Sequence, residues 1–224
     1  VMFNCPKTIN GVRSFLPVKG KDNMVVRYVQ KVCDCDEESA KALLEIVFNN
    51  LAVDGELFYG NSSAVRLGNI FSDQYIYVNR GVNGIEGSLS TAVGYAIAHQ
   101  EEEDVYCVIG DLSFFYDQNA LWNESLPPNL SILLLNNGGG GIFHQLPGLE
   151  RSPYRDSAIA AQHTTSAEGI CQTHDIVYLS ARNEEELYKN LDKLFNSEEG
   201  PVLLEVFTNA EEDTQALKDY YQVF

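Results

Sequence analysis

Positive charge is scarce in this 224-residue chain: 15 Lys and Arg stand against 32 Asp and Glu, a formal net charge of −17. A nucleic-acid backbone would be repelled unless basic residues were massed in a stripe, and no such stripe occurs, so no nucleic-acid partner is expected. No apolar run approaches the ~20 residues that cross a bilayer, which argues against a membrane span. The opening VMFNCPKTINGVRSF has neither the charged start nor the apolar centre of a signal peptide. The five cysteines are odd in number and scattered, which argues against a disulfide framework and for reduced thiols in the cytoplasm. Internal repeats and low-complexity segments are absent. Lys19-Gly20-Lys21 lacks the GxxxxGK[ST] pattern of a phosphate loop, and Gly138 to Gly141 fails GxGxxG because Phe143 takes the last position.

What is present is acid. The runs Asp36–Glu38, Glu101–Asp104, Glu184–Glu186 and Glu211–Asp213 read as solvated helix ends and loops. An anionic ligand on so acidic a chain would need a metal ion, a few placed arginines or helix N-termini.

The chain is 45% hydrophobic, long enough at ~150 residues per domain for one or two layered cores. Short β-branched and aromatic runs alternate with helical patterns. The runs Glu56–Tyr59, Gln74–Val78, Val105–Ile109, Leu130–Leu135, Asp175–Leu179 and Val202–Phe207 predict strands, several of them apolar almost throughout, as buried parallel strands are. Helices are predicted over Ser62–Phe71, Ser88–His99, Ser113–Glu124, Thr165–Gln172, Glu184–Phe195 and Asp213–Tyr221. Asn183 before three glutamates is a good N-cap signal. The alternation predicts a doubly wound α/β fold, with a mainly parallel six-stranded sheet and helices on both faces.

Residues 1–35 break this rhythm and read as a linker or the tail of a preceding domain, so the chain is expected to be a fragment. A helix is predicted from about Asp36 to about Asn50, opening a second unit over 36–224. In α/β sheets, ligands sit beyond the carboxyl ends of the strands. Function is therefore expected in the loops at 60–66, 79–88, 110–113 and 136–143.

Two of these loops carry a specific chemistry together. One apolar strand ends in Gly110-Asp111-Leu112-Ser113. The next ends in Asn136-Asn137 followed by four glycines, with Asn137 26 positions after Asp111. Alone, each is an ordinary turn. Together they set a carboxylate and a carboxamide at adjacent strand ends, the hard oxygen ligands that Mg²⁺ takes at roughly 2.1 Å in an octahedron completed by water and phosphate oxygens. Glycines let backbone carbonyls turn toward the ion and let the chain approach a diphosphate.

Gly110-Asp111 with Asn136-Asn137 resembles the cofactor and metal signature of the enzymes dependent on thiamine diphosphate (ThDP). Leu112 stands where that signature usually has Gly. GDLSFFYDQNALWN (110–123), NNGGGGIF (136–143) and Leu146-Pro147 are similar to one branch, the 2-succinyl-5-enolpyruvyl-6-hydroxy-3-cyclohexene-1-carboxylate (SEPHCHC) synthases of menaquinone biosynthesis. Gly60-Asn61-Ser62 with Arg66 resembles that branch's GNSxxxR loop. Asn79 to Gly87 resembles its NRGxxGIDG loop, with Glu86 for the usual Asp. The likeness runs from about residue 36 to the C-terminus, four loops in order.

The resemblance implies that Asp111 and Asn137 ligate Mg²⁺ or Mn²⁺ by side chain and Gly139 by its carbonyl. Gly110, Leu112, Ser113 and Gly140 would line the diphosphate site, and Ile85, with Ile142 nearby, would support the bent cofactor. Ser62, Arg66 and Arg80 would bind substrate carboxylates, with Ile142 and Phe143 walling the pocket. The implied substrates are 2-oxoglutarate and isochorismate. Both are di-acids, which bidentate guanidiniums orient better than lysines. No catalytic residue is expected in this chain. The glutamate that activates the cofactor would lie on an absent pyrimidine-binding domain of the same or a partner subunit, in a homodimer or homotetramer, and this chain alone should bind cofactor weakly and not turn over.

Other readings stay open: another ThDP-dependent 2-oxo-acid decarboxylase, an acetohydroxyacid synthase, or a non-catalytic cofactor-binding module. His144 reads as loop packing, and His99, His163 and His174 show no metal spacing. Cys33-Asp34-Cys35 reads as a pair of linker thiols, since a zinc site needs four ligands. Phe114, Phe115, Tyr116 and Trp122 read as core or subunit interface.

Overall fold

The apolar runs pair side by side into one parallel sheet because each buries both faces and leaves its backbone no water to bond. A computed structural model of the chain describes residues 2–4, 55–72, 74–81, 84–100, 103–124, 126–197 and 200–221. In chain order, the strands are β1 (Met2–Asn4), β2 (Gly55–Tyr59), β3 (Ile76–Asn79), β4 (Asp104–Gly110), β5 (Leu130–Asn136), β6 (Val177–Ala181) and β7 (Val202–Phe207). The helices are α1 (Ser63–Phe71), α2 (Ser88–Ala98), α3 (Asp111–Tyr116), α4 (Glu168–Thr173), α5 (Glu184–Phe195) and α6 (Ala210–Tyr221).

The sheet order is β1-β3-β2-β4-β5-β7-β6. All six expected strands are present and mutually parallel. The seventh, β1, lies in the leader where no strand was expected, and it pairs antiparallel with β3. The remainder of the leader and the helix expected over 36–50 lie outside the described residues, as does Cys33-Asp34-Cys35.

Alternate residues of each strand feed two cores. Leu57, Tyr59, Val108, Leu133 and Leu204 pack with Val65 of α1 and with Leu187, Leu191 and Leu194 of α5. Phe58, Cys107, Ile109, Ile132 and Leu203 pack on the other face with Leu89 and Val93 of α2, Phe114 of α3 and Cys171 of α4. These are helices on both faces of a doubly wound sheet. Cys107 and Cys171 are free, buried thiols. Among the described residues, no helix is long and apolar enough to cross a membrane.

Several expected boundaries move: β3 starts at Ile76 rather than Gln74, α4 at Glu168 rather than Thr165 and α6 at Ala210 rather than Asp213, and three others move for a clear local reason. The helix expected over Ser113–Glu124 begins two residues earlier, at Asp111, whose carboxylate suits a first turn, and ends at Tyr116. There Asp117 turns its side chain away to α2, and a 3₁₀ turn follows over Gln118–Leu121. Phe114 is fully buried, whereas Tyr116 and Trp122 are exposed. The strand expected from Asp175 starts at Val177, because Asp175 takes a left-handed turn conformation at φ 54°. The α5 boundaries are as expected, with the Asn183 side chain accepting from Glu186 N at 2.9 Å.

Candidate functional site

The chain runs from β2 outward to β3, then back across β2 to β4 and β5. The crevice beyond the carboxyl ends of β2 and β4 is thus the topological switch point, where such sheets bind ligands. The four loops singled out from the sequence leave the carboxyl ends of β2, β3, β4 and β5. They form two corners.

The first corner joins β4 to β5, which lie next to each other with Gly110 in register with Leu135. Asp111, only 3% exposed, opens α3. One carboxylate oxygen accepts from Leu112 N at 2.7 Å, and the other accepts from Gly139 N at 2.8 Å. Burial pushes the Asp111 carboxyl above the usual carboxylate range, against the pull of these two amides. Among the described residues, no lysine or arginine pairs with it. The Asp111 carboxylate, the Asn137 amide oxygen and the loop carbonyls are the oxygen types that a hard divalent cation takes, and the Gly139 carbonyl, which accepts from Gly141 N at 3.0 Å, keeps a second lone pair.

The glycine loop reaches Asp111 only because it has no side chains. At Gly139 (φ 154°) an added Cβ would lie 2.8 Å from Ala160 O, and at Gly138 (φ 79°) one would lie 3.0 Å from His163 O. The segment after the loop closes over it: Gly140 N donates to Ala160 O at 2.7 Å, and His163 N to Gly138 O at 2.9 Å. Ile142 and Phe143 sit half-buried in a 3₁₀ turn, Gly141–His144. Gly110 and Leu112 border the corner, and Ser113 beside them in α3 is buried at 4% exposed.

Several residues of this corner escaped the sequence reading. Glu205, fully buried in the middle of β7, accepts from Asn136 Nδ2 (2.6 Å), Ser166 Oγ and Tyr178 Oη (both 2.7 Å), and Ala167 N (3.1 Å). Four donors satisfy a charge that would otherwise be very costly to bury. Through it Asn136 is fixed, and Asn136 Oδ1 in turn accepts from Gly138 N at 3.1 Å. Asp213, placed by the sequence in a solvated acidic run, instead accepts from Asn137 Nδ2 (3.2 Å) and Thr208 Oγ1 (2.8 Å). Burial pushes its carboxyl up to about 6, with those two hydrogen bonds opposing.

His163, dismissed for lack of metal spacing, sets Nε2 3.2 Å from Asp111 Oδ2. Its Nδ1 accepts from Thr165 N, so in the neutral ring the proton lies on Nε2. His144 is half-buried with Nε2 3.7 Å from Asp156 Oδ1, consistent with loop packing. Beside the glycine loop, a cavity of about 170 Å³ is lined by Asn137, Gly139, His144, Asp156 and Glu211, among others.

The second corner joins β2 to β3. Asn61, 5% exposed, ties the two loops together. Its Nδ2 donates to Asn79 O (2.8 Å) and Gly84 O (2.6 Å), and its Oδ1 accepts from Arg80 Nη1 (3.1 Å). Asn79 Nδ2 closes the base of the second loop on Gly87 O and Thr91 Oγ1. Ser62 holds φ 69°, a conformation that costs a non-glycine residue about 1–3 kcal/mol and collects at functional sites. Arg80 is exposed, while Arg66 and Ile85 are half-buried. Asp117 links the corners: its carboxylate accepts from Ser90 N (2.7 Å) and Ser90 Oγ, capping α2 from the end of α3.

Residues 60–206 match the family described as thiamine pyrophosphate enzyme, C-terminal TPP binding domain. The chain is 49% identical over 170 residues to the SEPHCHC synthase of Bacteroides thetaiotaomicron, across 74% of this chain and 30% of that protein. It is 38% identical over 207 residues to the SEPHCHC synthase of Christiangramia forsetii, across 91% of this chain and 35% of that protein. The chain thus spans only a third or so of the length of these relatives. Among solved structures, benzoylformate decarboxylase from Polynucleobacter necessarius superposes with a TM-score of 0.59 at 19% identity, over 75% of this chain and 33% of that one. That likeness speaks for the shared fold alone.

Proposed function

Since the chain belongs to the thiamine pyrophosphate enzymes, through their C-terminal TPP-binding domain, we propose that it is the diphosphate-binding part, over 36–224, of a SEPHCHC synthase. The whole enzyme would decarboxylate 2-oxoglutarate and add the remaining four-carbon unit to isochorismate in the cytoplasm. The observation that carries this reading is the 2.8 Å bond from Gly139 N to the buried Asp111 carboxylate, which closes the Gly-Asp turn onto the asparagine–glycine loop.

In this reading, Asp111 and Asn137 hold Mg²⁺ or Mn²⁺ by side-chain oxygen and Gly139 by its carbonyl. Gly110, Leu112, Ser113 and Gly140 border the diphosphate, and Ile85 and Ile142 press on the rest of the cofactor. ThDP, when bound, supplies the carbon nucleophile and the electron sink. The chain's own residues orient and exclude. Ser62, Arg66 and Arg80 take the substrate carboxylates, where a fixed guanidinium gives two parallel hydrogen bonds. Ile142 and Phe143 keep water from the reacting carbon. The glutamate that activates the cofactor comes from the pyrimidine-binding domain of the same or a partner subunit, in a homodimer or homotetramer.

The test is a calorimetric titration of ThDP into this chain and into the full-length protein, each with Mg²⁺ and with chelator. Metal-dependent binding, with turnover of 2-oxoglutarate and isochorismate by the full-length protein alone, is the expected result. Turnover of pyruvate or benzoylformate without isochorismate would replace the SEPHCHC reading with a decarboxylase. No metal-dependent binding by either protein would remove the cofactor site.

A further inference from the structure

A carboxamide that ligates a cation must present its oxygen, and an asparagine side chain has two nearly isosteric orientations. The flipped one puts an NH₂ group against the ion. Affinity therefore depends on what holds the amide, and that support comes from outside the loop, 76 residues further on. Asp213 lies in the first turn of the 12-residue α6, and its Oδ2 takes the Asn137 Nδ2 hydrogen at 3.2 Å. An ionised carboxylate has only acceptors, so it admits the amide NH₂ and rejects the amide oxygen. Among the described residues, Asn137 Oδ1 takes no hydrogen bond and remains available.

The carboxylate is itself held. Thr208 Oγ1 donates to the same Oδ2 at 2.8 Å, and Asp213 N donates to Asn209 O at 2.9 Å. The neighbouring Thr214, 5% exposed, donates its Oγ1 to Gly141 O at 3.3 Å. The first turn of α6 therefore grips the glycine loop at two points, one at Asn137 and one four residues later.

We infer that Asp213 is the positioning residue of the metal corner, fixing the Asn137 amide so that its oxygen faces the ion. This rests on the metal role proposed for Asp111 and Asn137. Groups behind metal ligands commonly change affinity by 10–100-fold when removed.

The experiment measures Mn²⁺ binding by electron paramagnetic resonance in the full-length protein with ThDP present, with the thermal midpoint recorded for each variant. Asp213→Ala should weaken Mn²⁺ by about tenfold or more. Asp213→Asn should lose less than Asp213→Ala, because Thr208 Oγ1, which donates to the same Oδ2, keeps the replacement's amide oxygen rather than its NH₂ group toward Asn137. In an Asn137→Ala background, Asp213→Ala should add nothing, as expected of two residues acting through one contact. If Asp213→Ala does not fold, Thr208→Val, which frees the carboxylate, serves in its place with a smaller loss.

Unchanged Mn²⁺ affinity in Asp213→Ala or its substitute, while Asp111→Asn loses binding, would overturn the positioning role alone. A loss in Asp213→Asn equal to that in Asp213→Ala would overturn it too, by showing that charge rather than the acceptor matters. Absent Mn²⁺ binding in the wild type, or full binding in Asp111→Asn, would overturn the metal reading and this inference together.

Discussion

The two corners at the carboxyl end of the sheet are built in opposite ways. At the β4–β5 corner, Asp111, Asn136, Ser113 and Glu205 are all at most 4% exposed. Each of the two asparagines is held by a carboxylate that arrives from far along the chain. At the β2–β3 corner, one buried asparagine, Asn61, does the joining, and the guanidinium it steers belongs to the exposed Arg80. The first corner is fixed before any ligand arrives. The second is held mainly by the Asn61 and Asn79 side chains, and its Arg80 is open to water.

The difference suits the charges that each corner handles in the proposed function. A cation site needs its oxygens aligned and desolvated in advance, because each unaligned ligand lowers affinity. A guanidinium in water is well solvated and gains little from a carboxylate until a further surface excludes the solvent. In that proposal the β4–β5 corner has its own residues aligned within this chain, whereas the β2–β3 corner gains strength only when something covers it.

Substitutions can break that contrast from either side. The largest effect is expected for Glu205→Ala, which strips the acceptor from four donors at once and should cost about 3–5 kcal/mol of stability, read by urea denaturation. A loss below about 1 kcal/mol would mean that the corner is not held through β7. Asp111→Asn comes next. It removes the proposed anionic ligand and should weaken Mg²⁺-dependent ThDP binding by about 100-fold or more in calorimetry, with the thermal midpoint near wild type because the buried charge is gone while the amide oxygen still accepts one of the two backbone hydrogens.

On the open side, Arg80→Lys in the full-length protein should raise KM for 2-oxoglutarate by about tenfold and leave ThDP affinity alone, since a lysine cannot make the forked contact. Asn61→Ala should do the same more weakly, by about fivefold, and add little once Arg80 is already replaced. Equal effects of these two on ThDP binding would erase the distinction between the corners.

The smallest effect near neutrality is a pH response that both halves of the sheet share, since burial also raises Tyr59 of β2 and Tyr106 of β4. Burial pushes the thiols of Cys107 and Cys171 and the phenol of Tyr178 up to about 12. Folding thus favours their neutral forms. Below pH 8 they are neutral whether folded or unfolded and cost nothing. As pH rises through the unfolded values, near 9 for thiols, the unfolded chain loses protons that the folded chain retains, so stability falls until about pH 12. Urea midpoints at pH 8 and pH 10 would check this, and Cys107→Ala should flatten the slope.

Much of this was legible in the sequence because it was written locally. Six apolar runs are six strands, and Asn183 starts α5 where its capping chemistry says it should. The Gly-Asp and Asn-Asn-Gly turns could be seen because each is a contiguous pattern at a strand end. Glu205 was invisible for the opposite reason: a single acid inside Val202–Phe207 looks like a face exposed to solvent, and its partner Asn136 is 69 residues away. Asp213 hid in an acidic run, where its two neighbours are exposed and it is itself half-buried and bonded to Asn137. His163 was judged by spacing along the chain, whereas its contact with Asp111 is made by a loop folding back. Helix α3 ended early because Asp117 was needed at α2, a demand that no helical periodicity records.

The bond between Asn136 and Glu205 also sets an order of events. Every strand pair among β2 to β7 is parallel, so no hairpin within them can form early and wait for the rest. During synthesis, Asn136 leaves the ribosome well before Glu205 exists, and Asn137 before Asp213. The asparagine loop must therefore remain unset, its glycines sampling many shapes, until the last strand docks between β5 and β6 and the final helix follows. Arrival of β7 and α6, from Val202 onward, is what sets the loop, so truncations before Val202 should leave it loose while most of the sheet still forms.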